Sequence, residues 1–410
     1  MTGPVHSEPL FLSAREAASE LSISAATLYA YVSRGLIRSE AEANSRRKRY
    51  RADDVRALKQ RRDGPGPTRT GDAGLPVLDT AIGTITEDGP VYRGVHALAL
   101  SREAGFEQVA TLLWAAGGVD PFTSDNVPVV SAAMAAVIAA TRDEAPISRA
   151  IAVLALAGAA DPRAYNRSRE GRVLLAARVA RLATAAILGT GPDVAPIHRQ
   201  VAAAWAPAEP GAPDLFRRAL VLLADHELNA STYSLRCATS TGLTLYDAAV
   251  AGLVALKGPR HGGAGALAAG MVSDLAEGDL AARIRERVSL GDRIPGFGHS
   301  VYERSDPRAD DLLQALGRAG ADPQLVLDAP HLITEATGLH PNIDYALAVM
   351  MHMLGRPPGF ETALFAIARL AGWLAHAIEQ LETATLIRPR ARYVGNPPGR
   401  LLPPSREARA

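Results

Sequence analysis

The stretch Arg293–Arg308 reads R-I-P-G-F-G-H-S-V-Y-E-R-S-D-P-R. It places His299 just after an apolar ring, Phe297, held between two glycines, and it ends in an Asp-Pro-Arg turn that presents Arg308. Glycines let a backbone pass close to a ligand. A histidine exchanges protons near neutral pH, and an arginine grips a carboxylate with a planar fork of donors. A surface turn with an incidental histidine is the other reading of the same residues, so the rest of the chain must decide.

The chain has 410 residues, long enough for two or three domains, and 48% of them are hydrophobic, as in a globular protein. Aromatics are few, and alanine and leucine abound, which leans all-α. The net charge of +1 gives the whole chain no bulk electrostatic partner. Residues 1–62, however, carry more Lys and Arg than Asp and Glu, so a small basic module precedes a slightly acidic body. One cysteine, Cys237, cannot form a disulfide within the chain and fits a reducing, cytoplasmic setting. It reads as a small buried hydrophobe rather than a nucleophile. No Cys/His cluster has zinc spacing, so no metal is expected. No secretory signal is read at the N-terminus. The apolar runs Val129–Ala140 and Ile151–Ala160 are too short to span a bilayer.

In residues 9–62, Ser13 and Glu16 form a capping box ahead of a helix Ala14–Leu21. Ser22-Ile23-Ser24 breaks it, and Ser24 caps a second helix, Ala25–Ser33, stopped at Gly35. Leu21, Ile23, Leu28 and Val32 are the expected core of this helix-turn-helix. Thr27, Tyr29 and Ala30 lie where a recognition helix meets DNA. The basic run Arg46-Arg47-Lys48-Arg49-Tyr50 reads as a wing whose Arg46, Arg47 and Arg49 seek phosphates, and Asp53 is expected to cap a last basic helix. The order resembles the winged helix-turn-helix of MerR-type regulators and excisionases. A small interaction module that binds no DNA is the competing reading. Residues 63–74, rich in glycine, proline and threonine, read as a linker.

The body opens with a β-rich stretch, Leu75–Gly94, and then turns helical, with helices expected at Val127–Thr141, Ser148–Ala159 and Gly171–Leu188. No β-α-β alternation and no fixed repeat stand out. Asp225–Thr232 (D-H-E-L-N-A-S-T) reads as polar residues interrupting an apolar helix that starts at Leu215, a density that favours a cleft over a surface. In G-P-R-H-G-G-A, 258–264, Pro259 stops one helix and His261 precedes another. There the positive end of the helix dipole lowers its pKa, leaving a neutral ring able to donate to an oxyanion. Asp344 is a lone acid entering an apolar helix. Arg369 and His376 share a face seven residues apart, with Trp373 between them.

Taken in order, these pieces resemble citrate synthase: Thr80–Gly94, D-H-E-L-N-A-S-T, G-P-R-H-G-G-A, P-G-F-G-H-S-V-Y-E-R-S-D-P-R-A at 295–309, P-N-I-D-Y at 341–345, F-A-I-A-R-L-A-G-W-L-A-H-A-I-E-Q at 365–380, and R-P-R-A-R-Y at 388–393. The resemblance covers nearly all of residues 75–395. It implies an all-α fold with a large domain (75–261 and 351–395) and a small one (262–350) closing over a cleft, a homodimer with shared sites, and a flexible tail at 396–410. By motif, Asp344 is implied as the base on acetyl-CoA, His261 as the donor to the enolate oxygen and His299 as the donor to the oxaloacetate carbonyl. His226, Arg308 and Arg369 would hold oxaloacetate, with Arg388 reaching in from the other subunit. Arg293, Pro295, Gly296, Phe297 and Gly298 would lie against CoA. The implied products are citrate and CoA, with acetyl-CoA as cosubstrate and no bound cofactor.

The chemistry asks for such residues. A thioester α-proton is weakly acidic, so a base needs a donor at the enolate oxygen in the same step. Three departures stand against the family pattern. Gly265 falls where asparagine is common, Tyr345-Ala346-Leu347-Ala348 replaces a Tyr-Ser-Gly-like run, and the N-terminal module is extra. Propionyl-CoA, giving 2-methylcitrate, is therefore a second expectation. A DNA-binding regulator that senses CoA or oxaloacetate through a synthase-like body is a third.

Overall fold

The computed structural model describes residues 11–21, 23–33, 36–41, 48–63, 78–142, 144–291, 293–302 and 304–395. Arg46, Arg47, Ser22, Gly35, the expected linker beyond Asp63 and the expected tail from 396 lie outside them.

The first unit runs β1 (Phe11–Ser13), α1 (Ala14–Glu20), α2 (Ala25–Ser33), β2 (Ser39–Ala41), β3 (Lys48–Arg51) and α3 (Ala52–Asp63). Its strands form an antiparallel sheet in the order β1-β3-β2. Ser13 and Glu16 make the reciprocal capping box, at 3.3 and 2.7 Å. Ala17, Leu21, Leu28, Ile37, Tyr50 and Val55 form a core of their own, with Ile23 and Val32 packed against it. The expected cap at Asp53 shifts. α3 begins at Ala52, two residues earlier than a cap at Asp53 would give, and Asp53 instead sits in its first turn, bonded to Arg51 and Arg38.

The body opens with a meander, β4 (Gly83–Thr86), β5 (Gly89–Tyr92) and β6 (Val95–His96), as the β-rich opening predicts. Helices follow: α4 (Ala97–Glu103), α5 (Phe106–Leu113), α6 (Ala132–Ala140), α7 (Pro146–Ala160), α8 (Arg169–Leu188), α9 (Ile197–Trp205), α10 (Ala212–Leu222), α11 (Ala230–Thr239) and α12 (Leu245–Leu256). Then come α13 (Gly263–Ala276), α14 (Leu280–Leu290), α15 (Pro307–Arg318), α16 (Ala329–Thr337), α17 (Ile343–Met353) and α18 (Phe360–Thr383). The body is all-α around that small sheet.

Local chemistry sets the helix ends. Ser131, Ser168, Asn229, Thr244, Asp279 and Asn342 accept main-chain N–H groups at N-caps. Gly189, Gly291 and Gly338 end helices in the left-handed conformation. α8 and α18 are buried on nearly all sides, because alanine and glycine let neighbouring helices come close. One reading changes here. Asp225–Asn229 do not interrupt a helix; they form the break between α10 and α11. Cys237 is part-exposed rather than buried. Among the described residues no helix is long and apolar enough to cross a membrane.

Candidate active site

Three loops and two helices meet. The first loop, between α14 and α15, is zipped onto the segment that leads into α17. Gly298 N–H donates to His340 O (2.8 Å), Asn342 N–H donates to Gly296 O (2.8 Å), and the Asn342 amide donates to Gly298 O (2.8 Å). Gly296 has a φ of +81°, and a Cβ there would come within 2.8 Å of Tyr345 Cβ, so glycine is required twice over. The Phe297 ring packs edge-on against Tyr345 at 4.8 Å. This zipper brings the histidine loop beside Asp344, which lies 45 residues further on in the sequence.

Asp306 organises the junction. Its carboxylate accepts from Arg308 Nε (2.9 Å), from Arg308 Nη2 (2.8 Å), from the Arg308 main-chain N–H (3.1 Å) and from Ile343 N–H (3.0 Å). Burial works against the charge, but the Arg308 guanidinium holds the carboxyl below the usual carboxylate range. One buried acid thus fixes both Arg308 and the first turn of the helix that carries Asp344. The sequence reading quoted Asp306 but gave it no role.

His299 Nδ1 accepts N–H groups from Val301 (3.0 Å) and Tyr302 (3.2 Å). A neutral ring so held carries its proton on Nε2. Nε2 lies 3.5 Å from Arg308 Nη2, so two donors converge with no acceptor between them. Burial, assisted by Arg308, pulls the His299 pKa down to about 4. Such a pair suits a carbonyl oxygen that gains negative charge.

The second loop, Leu223–Asn229, carries His226. Tyr92 reaches from β5 to the end of α10, with its hydroxyl within 3.1–3.2 Å of Val221 O, Leu222 O and Asp225 O. Glu227 sits in the left-handed region (φ +51°), tied by Ile85 N–H (3.1 Å) and the Thr84 hydroxyl (3.2 Å). The buried Asp225 pairs with the buried His376 at 3.2 Å. His226 is 9% exposed, and its Nε2 lies 3.1 Å from Tyr302 Oη. Burial, then Arg308 and Arg369, hold its pKa well below the ordinary value, so the ring is neutral.

α18 supplies Arg369, fully buried, with its guanidinium over the Phe365 ring at 4.5 Å. Nε donates to Leu223 O (2.7 Å), but Nη1 and Nη2 have no hydrogen-bond partner among the described residues. Burial pulls its pKa down to about 10, so it stays charged at neutral pH. The Asp225 carboxylate offsets part of its charge, and two buried donors left without acceptors are costly unless an anion completes them.

The third loop places His261 ahead of α13, as expected. Its Nε2 is 2.8 Å from Ser231 Oγ, which is also 3.0 Å from Asn229 Oδ1 and accepts from Trp373 Nε1 (3.3 Å). Burial, then Arg369, lower its pKa to about 4. The Ser231 proton has two acceptors within reach, so its choice sets the His261 tautomer. Asp344 is part-exposed at the cleft, yet the protein around it pushes its pKa up to about 6 against the pull of Arg308.

His226, His299, Arg308, Arg369, His261 and Asp344 therefore share one electrostatic neighbourhood. Pro295, Gly296, Phe297 and Gly298 form its loop wall. Arg293 is exposed beside that wall, and Arg388 is exposed in the segment after α18. Ser231, Tyr302 and Asp306 are members that the sequence reading did not assign. All three stood inside quoted motifs, but their partners come from other loops. Among the described residues no group of three or more His, Cys, Asp or Glu side chains is arranged to hold a metal ion. In the first unit, Tyr29 is 54% exposed and Thr27 bonds Ser24. Arg49 stacks on Phe11 (4.1 Å) and pairs with Glu40 (3.4 Å).

Comparison with known proteins adds the following. The family model described as citrate synthase, C-terminal domain, matches residues 71–390. A 2-methylcitrate synthase of Mycobacterium tuberculosis is 30% identical over 364 residues, covering 80% of this chain and 91% of that one. The citrate synthase of Haloferax volcanii is 40% identical over 190 residues, and that match covers 44% of this chain and 50% of the relative, so the chain spans about half of its length. The crystal structure of citrate synthase from Thermotoga maritima superposes with a TM-score of 0.67 at 25% identity, covering 83% of this chain and 99% of that one.

Proposed function

The chain belongs to the citrate synthase family, and we propose that it condenses acetyl-CoA with oxaloacetate to give citrate and CoA. The observation that carries this reading is Arg369, fully buried beside neutral His226, with both terminal nitrogens lacking a hydrogen-bond partner among the described residues. That is a site for a carboxylate of a small dianion. Arg308 supplies a second buried guanidinium, and Arg388 of the partner subunit a third. The exposure of this chain's own Arg388 fits a homodimer that completes each site from both subunits.

In the proposed mechanism Asp344, as carboxylate, takes a proton from the acetyl methyl group. His261 donates from Nδ1 to the enolate oxygen when Ser231 gives its proton to Nε2. The enolate carbon attacks the ketone carbon of oxaloacetate. His299 Nε2–H and Arg308 stabilise the oxygen as it becomes an alkoxide, and His299 supplies its proton. Water then cleaves the citryl thioester to citrate and CoA. Arg293 and the 295–298 wall lie against CoA. The large domain (75–261 and 351–395) and the small one (262–350) close to exclude water until the carbon–carbon bond forms.

The similarity to a named 2-methylcitrate synthase along 80% of this chain favours a second acyl donor, propionyl-CoA. Release of free CoA, followed with acetyl-, propionyl- and butyryl-CoA with and without oxaloacetate, tests both readings. Release that requires oxaloacetate supports the synthase, and no release with any donor rules it out.

The element order of residues 11–63, with its own core, supports reading the module as a winged helix-turn-helix that meets DNA through Thr27, Tyr29 and the basic strand with Arg49. Arg46 and Arg47 remain part of that proposal. The body would then sense CoA or oxaloacetate as it turns over, in the cytoplasm. Fluorescence anisotropy with the DNA upstream of the chain's own gene should show binding that weakens steeply with salt; no binding at low salt defeats the DNA reading.

A further inference from the structure

One residue outside the assigned set touches three members of the site. Tyr302 is 7% exposed. Its hydroxyl lies 3.1 Å from His226 Nε2, its main-chain N–H donates to His299 Nδ1 at 3.2 Å, and the Arg308 guanidinium lies over its ring at 5.5 Å. Its ring also packs against His299, with centroids 4.7 Å apart.

The direction of the hydroxyl contact follows from acid–base chemistry. A phenol oxygen is a weak acceptor because its lone pair is delocalised into the ring, whereas an unprotonated imidazole nitrogen is a strong one. Burial raises the Tyr302 pKa and keeps the phenol protonated, while His226 is neutral for the same reason. A phenol O–H donating to Nε2 is therefore the favoured pairing, and it leaves the His226 proton on Nδ1. The main-chain contact acts in the opposite sense on the other ring, because occupation of Nδ1 by two N–H donors sends the His299 proton to Nε2.

We propose that Tyr302 is a positioning residue that sets the tautomers of both site histidines: His226 as the Nδ1–H form through its hydroxyl, and His299 as the Nε2–H form through its main-chain N–H. Each ring then keeps a single defined donor for a ligand carrying a ketone and carboxylates. The choice of that ligand rests on the synthase reading above; the tautomer assignment does not. Without the hydroxyl, His226 samples both tautomers, and only part of the population offers the right donor.

Ring-nitrogen NMR of the full chain carrying isotope-labelled histidine tests this. His226→Gln and His299→Gln spectra assign the two signals. The wild-type protein should show His226 protonated at Nδ1 and His299 at Nε2. Tyr302→Phe removes only the hydroxyl, so His226 should lose its single tautomer while His299, bonded to a main-chain N–H, should not change. His299 is thus an internal control for folding. In CoA release, the same variant should raise the KM for oxaloacetate about tenfold, the effect of one lost hydrogen bond, with kcat less affected. His226 found protonated at Nε2 in the wild-type chain overturns the proposal whether or not the variant folds. An unchanged His226 tautomer in Tyr302→Phe overturns it too. Absence of CoA release in the wild-type chain would defeat the synthase reading, yet the nitrogen shifts would still decide the role of Tyr302.

Discussion

The Asp306 carboxylate holds the Arg308 guanidinium through two side-chain hydrogen bonds, 2.9 and 2.8 Å long, while the oxygen at 2.8 Å also accepts Ile343 N–H. Both side chains are nearly inaccessible, at 0% and 3%. Removing the acid strands a buried cation, which costs about 3–5 kcal/mol. Asp306→Ala should therefore lower Tm substantially and raise the KM for oxaloacetate, since Arg308 loses its anchor. A melting curve that overlays the wild type would show that this pair does not organise the site.

Gly372 lets α18 pass directly over the His226 loop. Its N–H donates to Ala224 O at 2.9 Å, and an added Cβ would meet Ala224 O at 2.5 Å and would also run into the Asp225 carboxylate. Neither neighbour can retreat, because one is backbone and the other is paired with His376. Gly372→Ala, despite alanine's better helix propensity, should destabilise the chain by about 1–3 kcal/mol. Chemical denaturation measures it, and equal or greater stability would refute the close approach.

Asp344 sets a pH limb. Its carboxyl titrates at about 6, pushed up by burial. The base form is populated above that value, so kcat/KM for CoA release should rise through about pH 6 and level off. At pH 5 it should be about a tenth of the plateau. His261 and His299, both near 4, stay neutral across this range and add no limb there. Asp344→Asn should cost about 10²–10⁴ in kcat.

The same shift makes a stability prediction of opposite sign. A carboxyl whose folded pKa lies above its ordinary value favours the fold when protonated. That contribution is present below the ordinary carboxylate pKa and is lost as the pH rises through about 6. At neutral pH the ionised Asp344 thus strains the fold, and Asp344→Asn should be more stable by on the order of 1–3 kcal/mol while inactive. Thermal melts at pH 5 and pH 7.5 separate the cases, because the difference should shrink at the lower pH.

Arg369 should behave in the same way. It is fully buried, and two of its nitrogens lack hydrogen-bond partners among the described residues. Arg369→Met keeps the bulk and removes the charge, so the free protein should be at least as stable. Oxaloacetate at a hundred times its Kd should raise wild-type stability by about 2.7 kcal/mol and leave the variant's Tm unchanged. A ligand-induced shift that survives in the variant would place the carboxylate elsewhere.

The sequence by itself determined the all-α body, because alanine and leucine recur at helical spacing and Ser, Thr, Asn and Gly mark the ends. It also determined the small leading unit, whose capping box at Ser13 and Glu16 is a purely local device. Within the site it singled out His226, His261, His299, Arg308, Asp344 and Arg369, since each stands in a motif of adjacent residues. Only the tertiary structure decided which groups hold these side chains and in what protonation state. Asp306 reaches Ile343 across 37 residues, Tyr302 reaches His226 across 76, and Trp373 reaches Ser231 across 142. No local pattern encodes such pairs, because packing of separate helices creates them. The placing of Asp225–Asn229 in a loop rather than within a helix was decided in the same way. Tyr92 and Ile85 pin that loop from the β4–β5 hairpin, through Asp225 O and the Glu227 carboxylate, more than a hundred residues away in sequence. The pKa of Asp344 comes likewise from burial, which arises only once the loops close around it.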